Sequence, residues 1–230
     1  MVASASVSPA AAVTLPTMAT VESPTALRAD AARNRERIIA AAIELFAERG
    51  YEASTAEIAA RAGVGEATLF RRFPTKEDLI TAIVQMMLEE AATVAASCLE
   101  EEDPWRGVER FLYEMADRAS QDHGISDANK EQCMASQALA GERRRVLDLT
   151  AQLVKRAQSA GVLRDDVAGQ DLMFLMGAVA SVSEVPFPGL RPDLWKRYLG
   201  IVLDGLRPAC ATKLRPGPPP RRLIENADGD

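Results

Sequence analysis

The side chains with the most specific chemistry lie in one short segment, residues 66–73. At about 100° per residue, a helix that buries Leu69 and Phe73 leaves its opposite face to a small side chain, a hydroxyl, an aromatic ring and a guanidinium. Arginine can fork onto guanine, and threonine or phenylalanine can contact the methyl group of thymine. This face is therefore suited to the major groove of DNA. The residues that it presents are Ala67, Thr68, Phe70 and Arg71.

Other residues nearby could contact phosphate groups. Ser54 and Thr55 stand at a predicted helix start, where hydroxyls and free amides form an anion site. Arg72 lies on the side of the 66–73 helix, where a charge meets a phosphate more easily than a base edge. Lys76 stands in a first helical turn, against the usual preference for acids, and a phosphate nearby would compensate. Because two acids follow Lys76, a first turn that is merely solvated stays the alternative.

The elements that would position these residues are short helices. Apolar residues at 38, 42, 45 and 46 define one face of a helix from about 30 to 49, and Gly50 ends it. Ser54 and Glu57 form the S-x-x-E capping pattern of a second helix that reaches about Ala62. Gly63 to Gly65 predict the turn before a third helix, which Pro74 interrupts. A capped helix, a turn and a second helix at a steep angle predict a helix-turn-helix.

Helical periodicity continues through the rest of the chain and no long alternating run predicts a strand. Aromatic residues make up only 5% of the sequence, which also disfavours a mainly β fold. We therefore predict an all-α protein of about nine helices. Beyond the three short helices, these span about 75–99, 105–121, 127–138, 141–160, 167–183 and 191–206.

Composition disfavours several classes of protein. The three cysteines, Cys98, Cys133 and Cys210, are far apart, and His123 is the single histidine, so neither a metal site, a disulfide nor a catalytic triad is expected. Gly63-Val64-Gly65 begins like a dinucleotide loop, but it follows a predicted helix instead of a strand. No apolar stretch approaches a membrane span, and the N-terminus lacks the basic start of a signal peptide. We expect a cytoplasmic protein that is not an enzyme and has no cofactor.

Charge gives only partial support for nucleic-acid binding. The net charge is −6, and the segment from Arg28 to Lys76 contains nine basic and seven acidic residues. This local excess is too small to indicate DNA binding by itself, and the acidic remainder argues against a nonspecific nucleic-acid coat. Specific contacts must carry the prediction.

The segment from about residue 33 to 80 closely resembles the DNA-binding segment of the TetR family of bacterial regulators. The residues that carry this resemblance are Ile58, Ala59, Ala62, Gly63, Val64, Gly65, Thr68, Leu69, Phe70, Phe73, Lys76, Glu77 and Leu79. It implies an all-helical homodimer with a three-helix DNA-binding head and a larger ligand-binding and dimerisation body.

The resemblance also implies roles for single positions. Thr55, Phe70, Arg72 and Lys76 fall where family members commonly contact DNA, and the residues on the implied recognition helix are Glu66, Ala67, Thr68 and Arg71. Four positions depart from the family pattern. Phe70 replaces a usual tyrosine, Arg72 a frequent histidine or tyrosine, Gly65 a common serine, and Ala67 a common glycine. These changes affect the operator sequence that the protein would recognise, not the motif.

Four regions follow from these patterns. Residues 1–27 and 211–230 are predicted to be disordered, because prolines interrupt any helix that either segment might start. Either could touch DNA or simply be solvated. Residues 28–76 form the predicted helix-turn-helix domain, and residues 77–210 form the regulatory and dimerisation domain.

The body has two candidate surfaces. The last two long helices resemble the pair through which family members form a four-helix bundle between subunits, although either could instead be core. The residues expected at this interface are Leu172, Leu175, Met176, Val179, Trp195, Tyr198, Ile201 and Val202. A ligand chamber is expected among the helices of residues 75–160 and the start of the 167–183 helix, although a methionine on a helix is more usually core filling. The candidate wall residues are Met86, Met87, Phe111, Met115, Met134 and Phe174.

The combined hypothesis is a DNA-binding transcriptional regulator, a homodimer on a near-palindromic operator that a small apolar molecule releases. Repression is only the commoner mode of the family that the chain resembles, and activation stays open. The alternative is an architectural helix-turn-helix protein without ligand control. An enzyme on a helical scaffold is a third class, which the single histidine disfavours.

Overall fold

A computed structural model describes residues 24–120, 136–184, 191–209 and 211–225. Within these ranges the chain is all-α, with eight helices of seven or more residues, a short ninth helix and no strand. This confirms the predicted fold class. The helices are α1 Pro24–Arg49, α2 Thr55–Ala62, α3 Glu66–Arg72, α4 Lys76–Leu99, α5 Pro104–Ala119, α6 Ala140–Ser159, α7 Gly169–Ala180, α8 Trp195–Gly205 and α9 Arg221–Glu225.

Most of the predicted helices are found within a few residues of their expected bounds. The main difference at the N-terminal side is that α1 begins at Pro24 instead of about residue 30, with proline at the first position, where its missing N–H is not needed. The predicted helix at 127–138 lies almost wholly outside the described residues, and only its end appears, in the 3₁₀ turn Gln137–Leu139. The rest of the predicted arm, residues 1–23, also lies outside them.

Side-chain caps fix the two helix starts on either side of the helix-turn-helix. Ser54 and Glu57 form a reciprocal capping box at α2, as the sequence pattern predicts. Thr75 and Asp78 form a second box at α4, which sets the direction in which α4 leaves the head. Both boxes satisfy backbone amides that would otherwise lack partners at a helix start.

Helices α1, α2 and α3 form a small bundle with the first turns of α4. Its core is built from large apolar side chains that are almost fully buried, namely Ile38, Phe46, Ile58, Leu69, Phe73 and Leu79. These residues come from all four helices, so the orientation of α3 depends on the packing of the whole head.

Helix α4 continues from this head into the centre of the body, where it packs against α5 and α6. Helix α7 packs against α5 and α6, and α8 packs against α5 and α7. Among the described residues α4 is the one helix long and apolar enough to cross a membrane, yet 56% of its most apolar window is buried inside the protein. Its apolar residues are therefore accounted for by the core.

The C-terminal residues 212–225, here called the C-terminal strap, correct the expectation of a disordered tail. The guanidinium of Arg143, only 1% exposed, donates to the main-chain oxygens of Ile224 at 2.9 Å and Glu225 at 3.1 Å. Gln170 donates to the oxygen of Pro219 at 3.0 Å, and Arg221 pairs with Asp148 at 2.5 Å. The proline-rich sequence does not reveal this order, because the partners are polar side chains of α6 and α7 that are distant in sequence.

Candidate nucleic-acid interface and apolar cavity

The turn between α2 and α3 depends on a left-handed glycine. Gly63 has φ +64° and ψ +38°, and its N–H donates to the carbonyls of Ala59 and Ala60. Its own oxygen accepts a hydrogen bond from Arg37 Nη2 at 3.2 Å. The turn is therefore fixed both by local backbone geometry and by a side chain from α1.

The exposed face of α3 is the one that the sequence predicts. Leu69 is 1% exposed and Phe73 is 4% exposed, so both point into the head. Ala67 and Arg71 are exposed on the opposite side, and 44% of Phe70 is accessible. These exposures confirm the predicted orientation, whereas the base contacts themselves stay a prediction.

Two side chains on this face are linked. Arg71 Nη2 donates to Thr68 Oγ1 at 3.3 Å, so the guanidinium lies over the preceding turn with most of its donors facing solvent. Glu66 stands at the first position of α3 and is exposed. A carboxylate there complements the helix dipole, and it would repel a phosphate group. The centre of α3 is thus better suited to DNA than its first residue.

Arg72 turns away from this centre toward α1. Its Nη2 donates to the main-chain oxygen of Ala31 at 3.2 Å. A groove of about 280 Å³ separates the two helices here, and both Asp30 and Asn34 line it together with Thr68 and Arg71. Arg72 therefore ties α3 to the beginning of α1 and lies at the edge of the exposed face.

The predicted anion site at the start of α2 is already filled by a side chain of the protein. Ser54 Oγ accepts the Glu57 N–H at 3.2 Å, and both the N–H and the hydroxyl of Ser54 lie 2.9 Å from Glu57 Oε2. The hydrogen bond from the Ser54 backbone is the largest cause of the lowered pKa of the Glu57 carboxyl. Since a carboxylate occupies this helix start, Ser54 serves as a cap here, and the half-buried Thr55 is the remaining candidate for a phosphate contact.

Lys76 is likewise engaged by the protein and does not project from the head. Its ammonium donates to the main-chain oxygen of Tyr51 and lies 3.8 Å from the centroid of that ring and 5.5 Å from the Phe46 ring. Burial lowers the pKa of this amine. The expected phosphate contact therefore stays a prediction that these contacts do not favour.

A cavity of about 130 Å³ lies in the body between α4, α5, α6 and α7. Three of the predicted wall residues line it: Met87, Phe111 and Met115. Six further lining residues among those that the structure describes were not predicted, because periodicity identifies an apolar face and not the neighbour that the face meets. They are Val84, Leu88, Ala91, Val146, Met173 and Met176.

The other predicted wall residues lie elsewhere. Met86 lines a separate surface groove between α1 and α4, because it is turned by 100° from Met87 on α4. Phe174 is 58% exposed on α7, so its assignment to the cavity wall is wrong. Met134 lies outside the described residues.

Within the single chain, some residues of the predicted dimer interface are buried and others are exposed. Leu172 is 0% exposed, Val179 3% and Trp195 2%, so these three belong to the protomer's own core and their assignment to a contact surface is corrected. Met176 lines the cavity, and Leu175 and Val202 are half-buried. The exposed apolar face of α7 and α8 consists of Phe174, Tyr198 and Ile201.

Within the ranges that the structure covers, no group of histidine, cysteine or acidic residues could hold a metal ion. Cys98 is buried, and desolvation raises the pKa of its thiol. His123, Cys133 and Cys210 lie outside these ranges.

Two family models match this chain. Residues 38–83 match the model of bacterial regulatory proteins of the tetR family. Residues 103–208 match the C-terminal domain of SbtR-like transcriptional regulators. The first match runs from the middle of α1 into α4, and the second runs from the start of α5 to just past the end of α8.

Solved structures similar along most of the chain include a TetR transcription regulatory protein from Mycobacterium vanbaalenii. It is 30% identical, and the match covers 79% of this chain and 99% of that one with a TM-score of 0.56. A TetR transcriptional regulator from Streptomyces coelicolor is 29% identical over 76% of this chain and 99% of its own, with a TM-score of 0.55.

Among curated proteins, the uncharacterized HTH-type transcriptional regulator YvkB of Bacillus subtilis (strain 168) is 46% identical over 50 residues. That match spans 21% of this chain and 26% of the relative. It is thus a local similarity.

Proposed function

The chain belongs to the TetR family of bacterial transcriptional regulators, and we propose that it acts in the cytoplasm as a ligand-responsive homodimer that represses transcription from a near-palindromic operator. Members of this family bind DNA through the helix-turn-helix and are not enzymes. The operator, the direction of regulation and the effector are the parts that this proposal adds.

The observation that carries the proposal is the exposed face of α3. Ala67, Phe70 and Arg71 are exposed and Thr68 is half-buried beside them, while Leu69 anchors the other side of the same helix. Arg71 is the side chain best suited to a guanine, because its exposed guanidinium can donate two hydrogen bonds to O6 and N7. Arg72 at the edge of this face and Thr55 at the start of α2 would contact phosphates.

Two copies are needed for a near-palindromic site. The apolar side chains of Phe174, Tyr198 and Ile201 on α7 and α8 are exposed in the single chain, and a second copy would bury them. Two-fold symmetry would then place two recognition helices in successive major grooves, about 34–36 Å apart. A dimer of this kind also doubles the number of phosphate contacts and makes affinity steeply dependent on salt.

The cavity supports ligand control over an architectural role. Its wall includes Val84 and Ala91 from α4, and the same helix begins at Lys76, directly after the head. A ligand that binds one orientation of α4 more tightly would shift the population of dimers whose heads match the operator. A ligand with equal affinity for both orientations would have no effect.

DNA binding is tested by selecting duplexes from a random library with the purified full-length protein. We expect the selected sites to share two inverted half-sites with centres one helical turn apart. Arg71→Ala should lower affinity by about 1–3 kcal/mol and relax preference at one position in each half-site. Arg106→Ala, on the exposed side of α5, is the matched control and should change neither. Binding without sequence preference would support the architectural alternative.

Regulation is tested in cells with a reporter under the selected operator. We expect expression to rise when the regulator gene is removed and when an effector is added. A fall in expression on removal would identify an activator instead. An operator affinity that no cavity-binding compound changes would refute ligand control.

A further inference from the structure

The cavity in the body has an unusual wall. Nine lining side chains belong to the described residues, namely three valines or leucines, an alanine, a phenylalanine and four methionines, and none of these nine carries an oxygen or a nitrogen atom. The four methionines come from three different helices and surround the space with thioether sulfurs. They are Met87 on α4, Met115 on α5, and Met173 and Met176 on α7.

Two buried polar side chains of α6 flank Val146 in sequence, and both are engaged elsewhere. The Thr150 hydroxyl, 0% exposed and one turn after Val146, donates to the Val146 oxygen at 2.9 Å. The buried Arg143 guanidinium donates to main-chain oxygens, including that of Ser136 at 2.7 Å. A polar atom of a ligand would therefore lose its hydrogen bonds to water and gain none from these groups. Burial of an unpaired hydroxyl is unfavourable, and burial of an unpaired charge is far more so.

The size of the cavity limits the ligand further. At about 130 Å³ it is close to the roughly 150 Å³ apolar cavity in which benzene binds to an engineered protein. A single six-membered ring fits this space. Methionine side chains are flexible enough to admit a methyl substituent, and their sulfurs interact favourably with aromatic rings.

We propose that the effector of this regulator is a neutral, single-ring aromatic hydrocarbon of the size of benzene or toluene. Such a compound matches the volume, contacts the thioethers and needs no hydrogen bond. The ring would lie against α4, and its effect on operator binding rests on the proposed function. Binding of the ring itself can be measured without any DNA.

The decisive comparison uses toluene and phenol, which have nearly the same shape. Isothermal titration calorimetry of the full-length protein should show one toluene site per chain. Phenol should bind at least about fivefold more weakly, because its hydroxyl would be buried without a partner. Equal or tighter binding of phenol, or saturable binding of a long-chain carboxylate at this cavity in place of toluene, would overturn the proposal.

Two variants locate the site. Ala91→Leu fills the cavity from α4 and should reduce toluene binding at least tenfold. Thr93→Leu adds an apolar side chain to the exposed side of the same helix and should leave toluene binding and operator binding unchanged. Unchanged toluene affinity in folded Ala91→Leu would place the ring elsewhere.

A second series tests the sulfur atoms even if Ala91→Leu fails to fold. Met115→Leu and Met176→Leu keep the approximate volume and remove one thioether each. Each should weaken toluene about two- to tenfold relative to cyclohexane, which lacks the aromatic ring. Equal loss for both compounds would contradict the proposed role of the thioethers.

The two proposals fail in different ways. If toluene binds the free protein but no duplex is selected, the ligand assignment stands and the regulatory function fails. If a specific operator is selected and toluene does not bind, the function stands and this inference is wrong. Binding of toluene that leaves operator affinity unchanged would refute its role as effector.

Discussion

The ammonium of Lys76 lies 3.8 Å from the ring centroid of Tyr51 and donates to the main-chain oxygen of the same residue. The positive charge of Lys76 thus joins the first turn of α4 to the segment that follows α1. A lysine in the first turn of a helix would otherwise oppose the helix dipole. Here the aromatic face and the carbonyl of Tyr51 compensate for the unfavourable interaction with the helix dipole. No phosphate is required to explain a lysine at this position.

This contact predicts that Lys76→Ala acts on stability more than on the electrostatics of DNA binding. The variant should lower the free energy of unfolding by about 1–2 kcal/mol, because it removes a cation–π contact and a hydrogen bond. Denaturant unfolding of the protein without DNA measures this loss. The salt dependence of operator binding should keep its slope, and a slope reduced by about one per subunit would instead show that Lys76 contacts a phosphate.

The turn glycines give a prediction with an internal control. A Cβ at Gly63, whose φ is +64°, would lie 2.6 Å from Arg37 Nη2, whereas a Cβ at Gly65 would meet nothing within 4 Å. Gly63→Ala should therefore destabilise the head by at least about 1 kcal/mol. Gly65 has φ −72°, so Gly65→Ala should be neutral or slightly stabilising. Thermal unfolding of both variants checks this, and equal melting temperatures would contradict it.

The parts of the head that the sequence predicts correctly depend on near neighbours. Ser54 and Glu57 are three residues apart, and the N–H of the left-handed Gly63 ends α2 by donating to Ala59 and Ala60 in the preceding turn. Leu69 and Phe73 are separated by one helical turn, so periodicity alone indicates that they point the same way. These features could be predicted because their energies are local.

The features that sequence reasoning misses depend on distant partners. Lys76 meets Tyr51 25 residues away, and Arg143 meets Ile224 81 residues away. Helix α7 is apolar on several sides, so its sequence alone does not decide that Leu172 faces the core and Phe174 faces solvent. The packing of α7 against α5 and α6 decides which of its residues are buried, and the hydrophobic periodicity of the sequence does not contain that information.

The exposed face of α7 and α8 predicts a variant that separates the dimer. Ile201 is 59% exposed in the single chain, so Ile201→Glu should leave the protomer folded and place a charge where a second copy would pack. We expect a monomer by sedimentation velocity and a large loss of operator affinity. Lys155→Glu, on the exposed side of α6, adds the same side chain elsewhere and should stay dimeric. A dimeric Ile201→Glu variant would place the interface elsewhere.

The carboxylate of Asp166 links the loop before α7 to the C-terminal strap and should make the stability of the protein depend on pH in the acidic range. It accepts hydrogen bonds from Arg164 at 2.6 and 3.1 Å and from the Leu214 N–H at 2.7 Å. These contacts lower the pKa of Asp166 from 3.8 to about 2, with Arg164 as the largest cause. Because the pKa is lower in the folded chain, the stabilisation is present above about pH 4 and is lost as the pH falls toward 2.

Asp166→Asn should therefore be less stable than the parent at pH 7 and should lose part of the pH dependence between 4 and 2. Denaturant unfolding at a series of pH values measures the difference. Asp165→Asn is the neighbouring control, because Asp165 is exposed and should leave this part of the curve in place. Parallel curves for the parent and Asp166→Asn would contradict the assignment.

The C-terminal strap should stabilise the body, because without it the buried guanidinium of Arg143 would lose two hydrogen-bond acceptors. A chain that ends at Arg215 lacks the Ile224 and Glu225 oxygens that the guanidinium contacts at 2.9 and 3.1 Å. Its free energy of unfolding should fall by about 1–3 kcal/mol or more, because removal of one partner leaves a buried polar group unsatisfied. A chain that ends at Glu225 keeps both oxygens and serves as the control.

A double-mutant cycle separates this charge from the other contacts of the strap. Arg143→Met should destabilise the full chain, and in the chain that ends at Arg215 it should cost less or restore stability, because no buried charge remains without those acceptors. Denaturant unfolding of the four proteins gives the coupling between the two changes. If the losses simply add, the strap stabilises the body through Gln170 and Arg221 instead, whose contacts with Pro219 and Asp148 do not depend on residue 143.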